Sequence, residues 1–199
     1  MKNKAEIGIT GGIASGKSTA SQYLQQQYNL ILCDADVYAR DAVEPGSNIW
    51  QAICDRYGSQ MSLPDGQLNR PKLGEIIFNH PQERQWLEAQ IHPYVGDRFQ
   101  GMLDNASPTD RLLFCIPLLF EAKMTHLVRE VWVVYCSEEQ QRERLMKRNN
   151  LSEEEAMARI SSQMPLEQKC AKADRILDNS STEANLLIQI DEAIASISL

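Results

Sequence analysis

Between a short apolar run, Ile7-Gly8-Ile9, and a stretch of helical periodicity, residues 11–18 read G-G-I-A-S-G-K-S. This is the full spacing G-x-x-x-x-G-K-[ST], and it constrains the fold more than anything else in the chain. Such a loop works only where a strand delivers it and a helix leaves it. Its backbone N–H groups then make an anion cradle, Lys17 brings a point charge to the β- and γ-phosphates, and the Ser18 hydroxyl is placed to ligate Mg²⁺. The dipole of the following helix adds to the attraction for phosphate. Ala20, Tyr23, Leu24 and Tyr28 recur at steps of three and four, which predicts a helix over 17–28. Gly11, Gly12, Ile13, Ala14, Ser15, Gly16, Lys17, Ser18 and Thr19 are therefore the expected nucleotide contacts.

Four further apolar runs read as buried strands: Leu30–Cys33, Leu112–Ile116 (stopped by Pro117), Val131–Tyr135 and the short Arg175–Leu177. Runs without polar alternation indicate strands covered on both faces, as in a parallel sheet. Their alternation with helical patterns implies a three-layer α/β sandwich.

Two stretches break this rhythm. Between the second and third strands lie only helical patterns: Ile49 to Tyr57, then Leu73, Ile76 and Ile77, then Pro81 to about Leu103, where Pro93 is expected to interrupt near His92. Asp65-Gly66 reads as a turn, and Asn69-Arg70-Pro71 as a helix start. The second stretch, Ser137 to about Pro165, is rich in Arg and Glu, and Ser152-x-x-Glu155 is a capping box that starts a helix. The expected division is a core of 1–36, 106–136 and 166–199, a helical insertion of 37–105 and a lid of 137–165. The C-terminal run through Leu186, Ile190, Ile194 and Ile197 reads as a packing helix.

Cys33-Asp34-Ala35-Asp36 closes the second strand. In extended backbone positions 34 and 36 project to the same side, toward the strand end where open α/β sheets place ligands. Phosphoryl transfer to a hydroxyl needs a proton acceptor, assigned to Asp36, with Asp34 supporting the metal shell or fixing the loop. The competing reading is that one of them caps the helix expected over Val37–Val43. In the lid, Arg144 and Arg148 share a helix face and could neutralise a transferring phosphoryl group, or could simply pair with Glu139 and Glu143. Arg40, Arg70, Lys72, His92 and Arg98 are candidates to hold an acidic acceptor. Leu118 and Glu121, in Pro117-Leu-Leu-Phe-Glu121, are candidates to line a pocket, or are core.

A chain of 199 residues with 43% hydrophobic and 24% charged residues is an ordinary globule of one domain carrying insertions. Its net charge of −7 argues against a general nucleic-acid or anionic-membrane binder. Five cysteines, none closer than 21 positions to the next, indicate neither a zinc site nor a disulfide framework and fit a reducing cytosol. No targeting signal and no membrane span are read.

Taken together the motifs resemble those of the dephospho-coenzyme A kinases. The matching stretches are Thr10–Thr19, Asp34-Ala-Asp36 with Ala39-Arg40, Asp65-Gly66-x-Leu68-x-Arg70-x-x-Leu73, Ile77-Phe78, His92-Pro93, Ile116-Pro-Leu-Leu-Phe-Glu121, Gln141-x-x-Arg144 with Arg148, Arg159-Ile160-x-x-Gln163 and Ala173-Asp174-x-x-Leu177-Asp178-Asn179. The resemblance implies a P-loop nucleoside-triphosphate hydrolase-like sandwich with a five-stranded parallel sheet, an inserted helical substrate lobe and a helical lid. It implies ATP with Mg²⁺ as donor and the ribose 3′-hydroxyl of dephospho-coenzyme A as acceptor. On that reading Asp36, Lys17 and Arg144 are catalytic, Arg148 joins the loop on the nucleotide, and Asp34, Arg40, Arg70, His92, Leu118 and Glu121 face the acceptor. The expected protein is cytoplasmic, a monomer or small homo-oligomer, with no nucleic-acid or membrane partner. Ala14 stands where the family usually has Gly, and Asn69 where Asp is frequent. The runner-up is another small-molecule kinase of the same core, such as a nucleoside monophosphate or shikimate kinase. A GTP switch would need an N-K-x-D reader and a NAD module a G-x-G-x-x-G after the first strand, and neither occurs.

Overall fold

The computed structural model describes residues 4–197. In chain order the elements are β1 (Ala5–Gly11), α1 (Lys17–Tyr28), β2 (Ile31–Asp34), α2 (Ala35–Asp41), α3 (Asn48–Tyr57), α4 (Arg70–Asn79), α5 (Pro81–Asn105), β3 (Leu112–Cys115), β4 (Val128–Tyr135), α6 (Glu138–Asn149), α7 (Glu153–Ser161), α8 (Leu166–Cys170), β5 (Arg175–Asp178) and α9 (Glu183–Ala195). The chain forms two compact units, one of Met1–Asp34 with Leu103–Leu199, the other of Ala35–Met102.

The first unit is built on a five-stranded sheet in the order β2-β3-β1-β4-β5, and every pairing is parallel. β1 is central, with Ile7 opposite Leu113 on one side and Glu130 on the other. Its central place explains its composition: Ala5, Ile7 and Ile9 are fully buried, as are Leu113, Trp132 and Val134 around them. This is the continuous burial expected of a parallel sheet covered on both faces. Ala20 and Leu24 of α1 and Leu186, Ile190 and Ile194 of α9 belong to the same core cluster. Tyr23 and Tyr28 of α1 both donate hydroxyl hydrogen bonds to Asp191 Oδ1 of α9, at 2.8 and 2.7 Å, so two polar rings enter the apolar layer with their donors satisfied.

The second unit has its own core of Ala42, Val43, Ile53, Met61, Leu68, Leu73 and Leu87. Ser47 caps α3 by accepting from Trp50 N, and Asn69 caps α4 by accepting from Lys72 N, with proline in the first turn. Asn69, read from the sequence as part of a helix start, is thus a helix cap. The Asp65-Gly66 turn forms with Gly66 at φ 84° and Asp65 Oδ1 accepting from Gln67 N at 3.0 Å. Arg56 lies 4.5 Å over the Trp86 ring and pairs with Glu83 at 2.7 Å, which also accepts from the Tyr57 hydroxyl.

Two expectations are corrected. Pro93 does not interrupt α5, which runs unbroken from Pro81 to Asn105. An internal proline costs about 3 kcal/mol. Burying Leu87, Val95 and Phe99 along the same helix recovers more than that, at about 2 kcal/mol each. The extended Asp34-Ala35-Asp36 is also overturned: β2 ends at Asp34 and α2 begins at Ala35, so Asp36 stands in the first turn of a helix. That helix is Ala35–Asp41 rather than Val37–Val43, and alternation no longer relates the two carboxylates.

Candidate active site

The phosphate loop occupies the C-terminal edge of the sheet, where β1 ends at Gly11. Gly16 takes the left-handed conformation, φ 104°, and opens α1; the Ala20 N–H to Gly16 carbonyl bond, at 3.2 Å, is the helix's first. The N–H groups of this first turn therefore point out of the helix end. Lys17 Nζ folds back over the loop and donates to the Gly12 carbonyl at 3.3 Å. Ser18, one residue on, is exposed at this helix end. These are the features that would hold a phosphate chain. An exposed hydroxyl beside the phosphate cradle also fits Mg²⁺, which keeps several waters and takes few protein ligands.

The loop is fastened from outside by three amide side chains. Asn179 Nδ2, just past β5, donates to the Ser15 carbonyl at 2.8 Å. Gln141 Nε2 of α6 donates to the Ile13 carbonyl at 2.8 Å, and Gln163 Oε1 accepts from the Ile13 N–H at 3.0 Å. A side chain at either glycine would crowd the arriving amides. A Cβ on Gly12 would lie 2.0 Å from Gln141 Nε2, and one on Gly16 2.2 Å from Asn179 Nδ2. Sequence reading quoted all three amides within matching stretches but gave them no task, because the partners lie up to 164 residues apart. Periodicity carries no signal for such contacts.

The arginines divide. Arg142 makes the ordinary surface pairs, with Glu153 at 2.7 Å and Glu139 at 3.9 Å. Arg144 instead donates to the Asn179 carbonyl at 2.9 Å, half-buried beside the residue that holds Ser15. Arg148 is exposed and bonded to Asn149. Cys136, buried at the end of β4, feels both sides of this arrangement: burial pushes its thiol pKa up, while the charges of Arg144 and Lys17 pull it down and Asp178 pushes it up.

After β3 the chain turns through Pro117-Leu118-Leu119-Phe120-Glu121. Leu119 is fully buried and Leu118 half-buried. Glu121 Oε1 accepts from Met164 N at 3.0 Å and pairs at 3.0 Å with Lys169 Nζ, a fully buried ammonium that also donates to the Pro117 carbonyl. Thr10 donates its hydroxyl to the same carbonyl at 3.1 Å. This junction fastens β1, the post-β3 turn and α8 together. A cavity of about 230 Å³ beside the loop is lined by Gly12, Glu138, Gln141, Ile160, Gln163 and Glu167.

Of the remaining candidates, Asp34 ends β2 opposite Cys115 of β3. Asp36 and Arg40 are exposed in the first and last turns of α2. Arg70, at the start of α4, donates to the Arg40 carbonyl at 3.4 Å. Arg98, which sequence reading also named, lies 4.9 Å over the Tyr38 ring and 3.9 Å from Asp41. His92 is exposed on α5. Among the described residues no cluster of three or more His, Cys, Asp or Glu could hold a metal, and the described cysteines form no disulfide.

A sequence profile of the dephospho-CoA kinase family matches residues 5–185. The chain is 57% identical to a dephospho-CoA kinase of Trichormus variabilis over 189 residues, which is 94% of this chain and 95% of that one. Among solved structures it is similar to TT1252 from Thermus thermophilus, at TM-score 0.80 and 31% identity with both chains fully covered. It is also similar to the dephospho-CoA kinase from Campylobacter jejuni, at TM-score 0.71 and 28% identity over 98% of each chain.

Proposed function

Because this chain belongs to the dephospho-coenzyme A kinase family, we propose that the groups assembled at the sheet edge, with the acidic and basic residues of α2, α4 and α5, carry out that family's phosphoryl transfer. The reaction is the transfer of the γ-phosphoryl group of ATP to the ribose 3′-hydroxyl of dephospho-coenzyme A, giving coenzyme A and ADP, the last step of coenzyme A biosynthesis. The observation that carries the reading is the family match across residues 5–185, joined to a phosphate loop whose lysine folds over its own backbone cradle.

In the proposed sequence of events, the N–H groups of residues 14–19 hold the β- and γ-phosphates and Lys17 neutralises their charge. Arg144 comes from α6 to stabilise charge on the equatorial oxygens, assisted by Arg148. Asp36 accepts the proton of the 3′-hydroxyl as that oxygen bonds to the γ-phosphorus and the bond to the ADP oxygen breaks. Mg²⁺, held by Ser18, supplies charge neutralisation on the phosphates when bound. Asp34, Arg40, Arg70, His92 and Leu118 are assigned to the acceptor side and residues 37–105 to the coenzyme A lobe, with 137–165 as the lid. Glu121 acts through the turn it fastens to Lys169 and Met164. No helix among the described residues is long and apolar enough to cross a membrane. The cytoplasm is assigned as the site of action from the cysteine spacing, which suits a reducing compartment.

The test is ADP release from ATP with each acceptor in turn. Turnover with dephospho-coenzyme A and none with nucleoside monophosphates or shikimate is expected; the reverse preference would reject the assignment.

A further inference from the structure

One residue of the phosphate loop has both its backbone polar groups taken by side chains from the charged helical segment. The Ile13 N–H is held by Gln163 and the Ile13 carbonyl by Gln141. Gln141 is only 4% exposed and shares α6 with Arg144, while Gln163 lies two residues beyond α7. Gly12, immediately before Ile13, leaves the space into which the Gln141 amide fits. Buried polar groups of this kind are costly when unpaired, so the loop and the helices that carry the amides are tied together energetically.

We propose that Gln141 and Gln163 are positioning residues for phosphoryl transfer: together they clamp the backbone on both sides of Ile13 and couple the cradle's shape to the placement of the segment carrying Arg144. The clamp rests on the phosphate-loop reading of residues 11–18. Its two halves differ in chemistry. Gln141 acts as a donor and Gln163 as an acceptor, which makes the same replacement diagnostic at the two positions. Gln→Glu adds one negative charge near the phosphates in either case, but at 141 it removes the donor and at 163 it keeps the acceptor.

The experiment measures kcat/KM for ATP, with saturating dephospho-coenzyme A, across pH. At neutral pH Gln141→Glu sets a carboxylate against the Ile13 carbonyl and lowers kcat/KM about 10- to 100-fold, whereas Gln163→Glu loses about threefold. As pH falls toward about 5, a buried carboxyl at 141 takes up a proton and becomes a donor again. The ratio of Gln141→Glu to wild type therefore recovers, and the ratio for Gln163→Glu does not. Equal losses in the two variants, or a Gln141→Glu ratio independent of pH, overturn the clamp while wild-type turnover stays normal. A wild-type protein that releases no ADP overturns the kinase reading and the clamp with it.

A double-mutant cycle gives a second readout should Gln141→Glu not fold. Gly12→Ala alone collides with the Gln141 amide, but with Gln141→Ala the collision partner is gone. Sub-additive losses in kcat/KM support the clamp, and additive losses overturn it.

Discussion

Ala14 stands in the left-handed region, at φ 59°, inside the phosphate loop. A residue with a Cβ loses about 1–2 kcal/mol there, whereas glycine would not. The amides that fasten Ile13 and Ser15 on either side hold Ala14 in place. Ala14→Gly should relieve that strain but loosen the unfolded chain, so a net gain of about 0.5–1 kcal/mol is expected in urea denaturation. A midpoint that falls would contradict it. Lys17 and Asp36 are tested by kinetics. Lys17→Ala should lower kcat by about 10²–10³-fold with the fold retained. Asp36→Asn, which removes a general base, should lower kcat by about 10²–10⁴-fold with little change in ATP affinity. Equal damage from Asp34→Asn alone would mean that the other carboxylate accepts the proton.

At the scale of elements, α6 is specified by its own ends. Ser137 and Gln140 form a complete capping box, Glu138 and Glu139 occupy the first turn, and Lys147 and Arg148 the last, each complementing the helix dipole. Ser137→Ala should cost about 1 kcal/mol in chemical denaturation. Because α6 carries both Gln141 and Arg144, the same change should raise KM for ATP; an unaltered KM would show that the helix end is not coupled to the loop. The short α8 is held differently, by the buried Lys169 ammonium against Glu121 and the Pro117 carbonyl. Removing one partner of such a pair costs about 3–5 kcal/mol. Glu121 is one-quarter exposed, so Glu121→Ala should fall at the low end, about 3 kcal/mol by thermal denaturation. A loss below about 1 kcal/mol would mean that the pair contributes little.

For the molecule as a whole, each unit carries a hydrogen-bonded group whose titration couples to stability. In the first unit, hydrogen bonding to Asp191 pushes the Tyr28 phenol up to about 12 from 10.0, with burial adding to it. A folded-state pKa above the unfolded one stabilises fully below pH 10 and is lost as pH rises through about 12. Asp191→Ala should return the tyrosine toward its ordinary value in an ultraviolet absorbance titration and flatten the alkaline limb of stability. In the second unit, the Arg56 guanidinium and then the Tyr57 hydroxyl hold the Glu83 carboxyl at about 2, down from 4.5. Its contribution is present above pH 4.5 and lost as pH falls through about 2, so Glu83→Gln should flatten the acid limb. An acid limb unchanged in that variant would place the sensitivity elsewhere.

Local chemistry alone was enough for much of this protein. The phosphate loop, the helix after it, all five strands and the capping box at Ser152 follow from residue types at short spacing, because each depends on neighbours within a turn or two of chain. The parallel sheet was legible too, since strands buried on both faces cannot carry polar alternation. Tertiary structure decided what depends on distant partners: the strand order, the unbroken α5 through Pro93, the helical setting of Asp36, and the use of Gln141, Gln163, Asn179 and Lys169. An amide or ammonium in a sequence looks the same whether it meets water or a backbone group far along the chain. Only folding fixes which, by removing the water and leaving protein partners within reach.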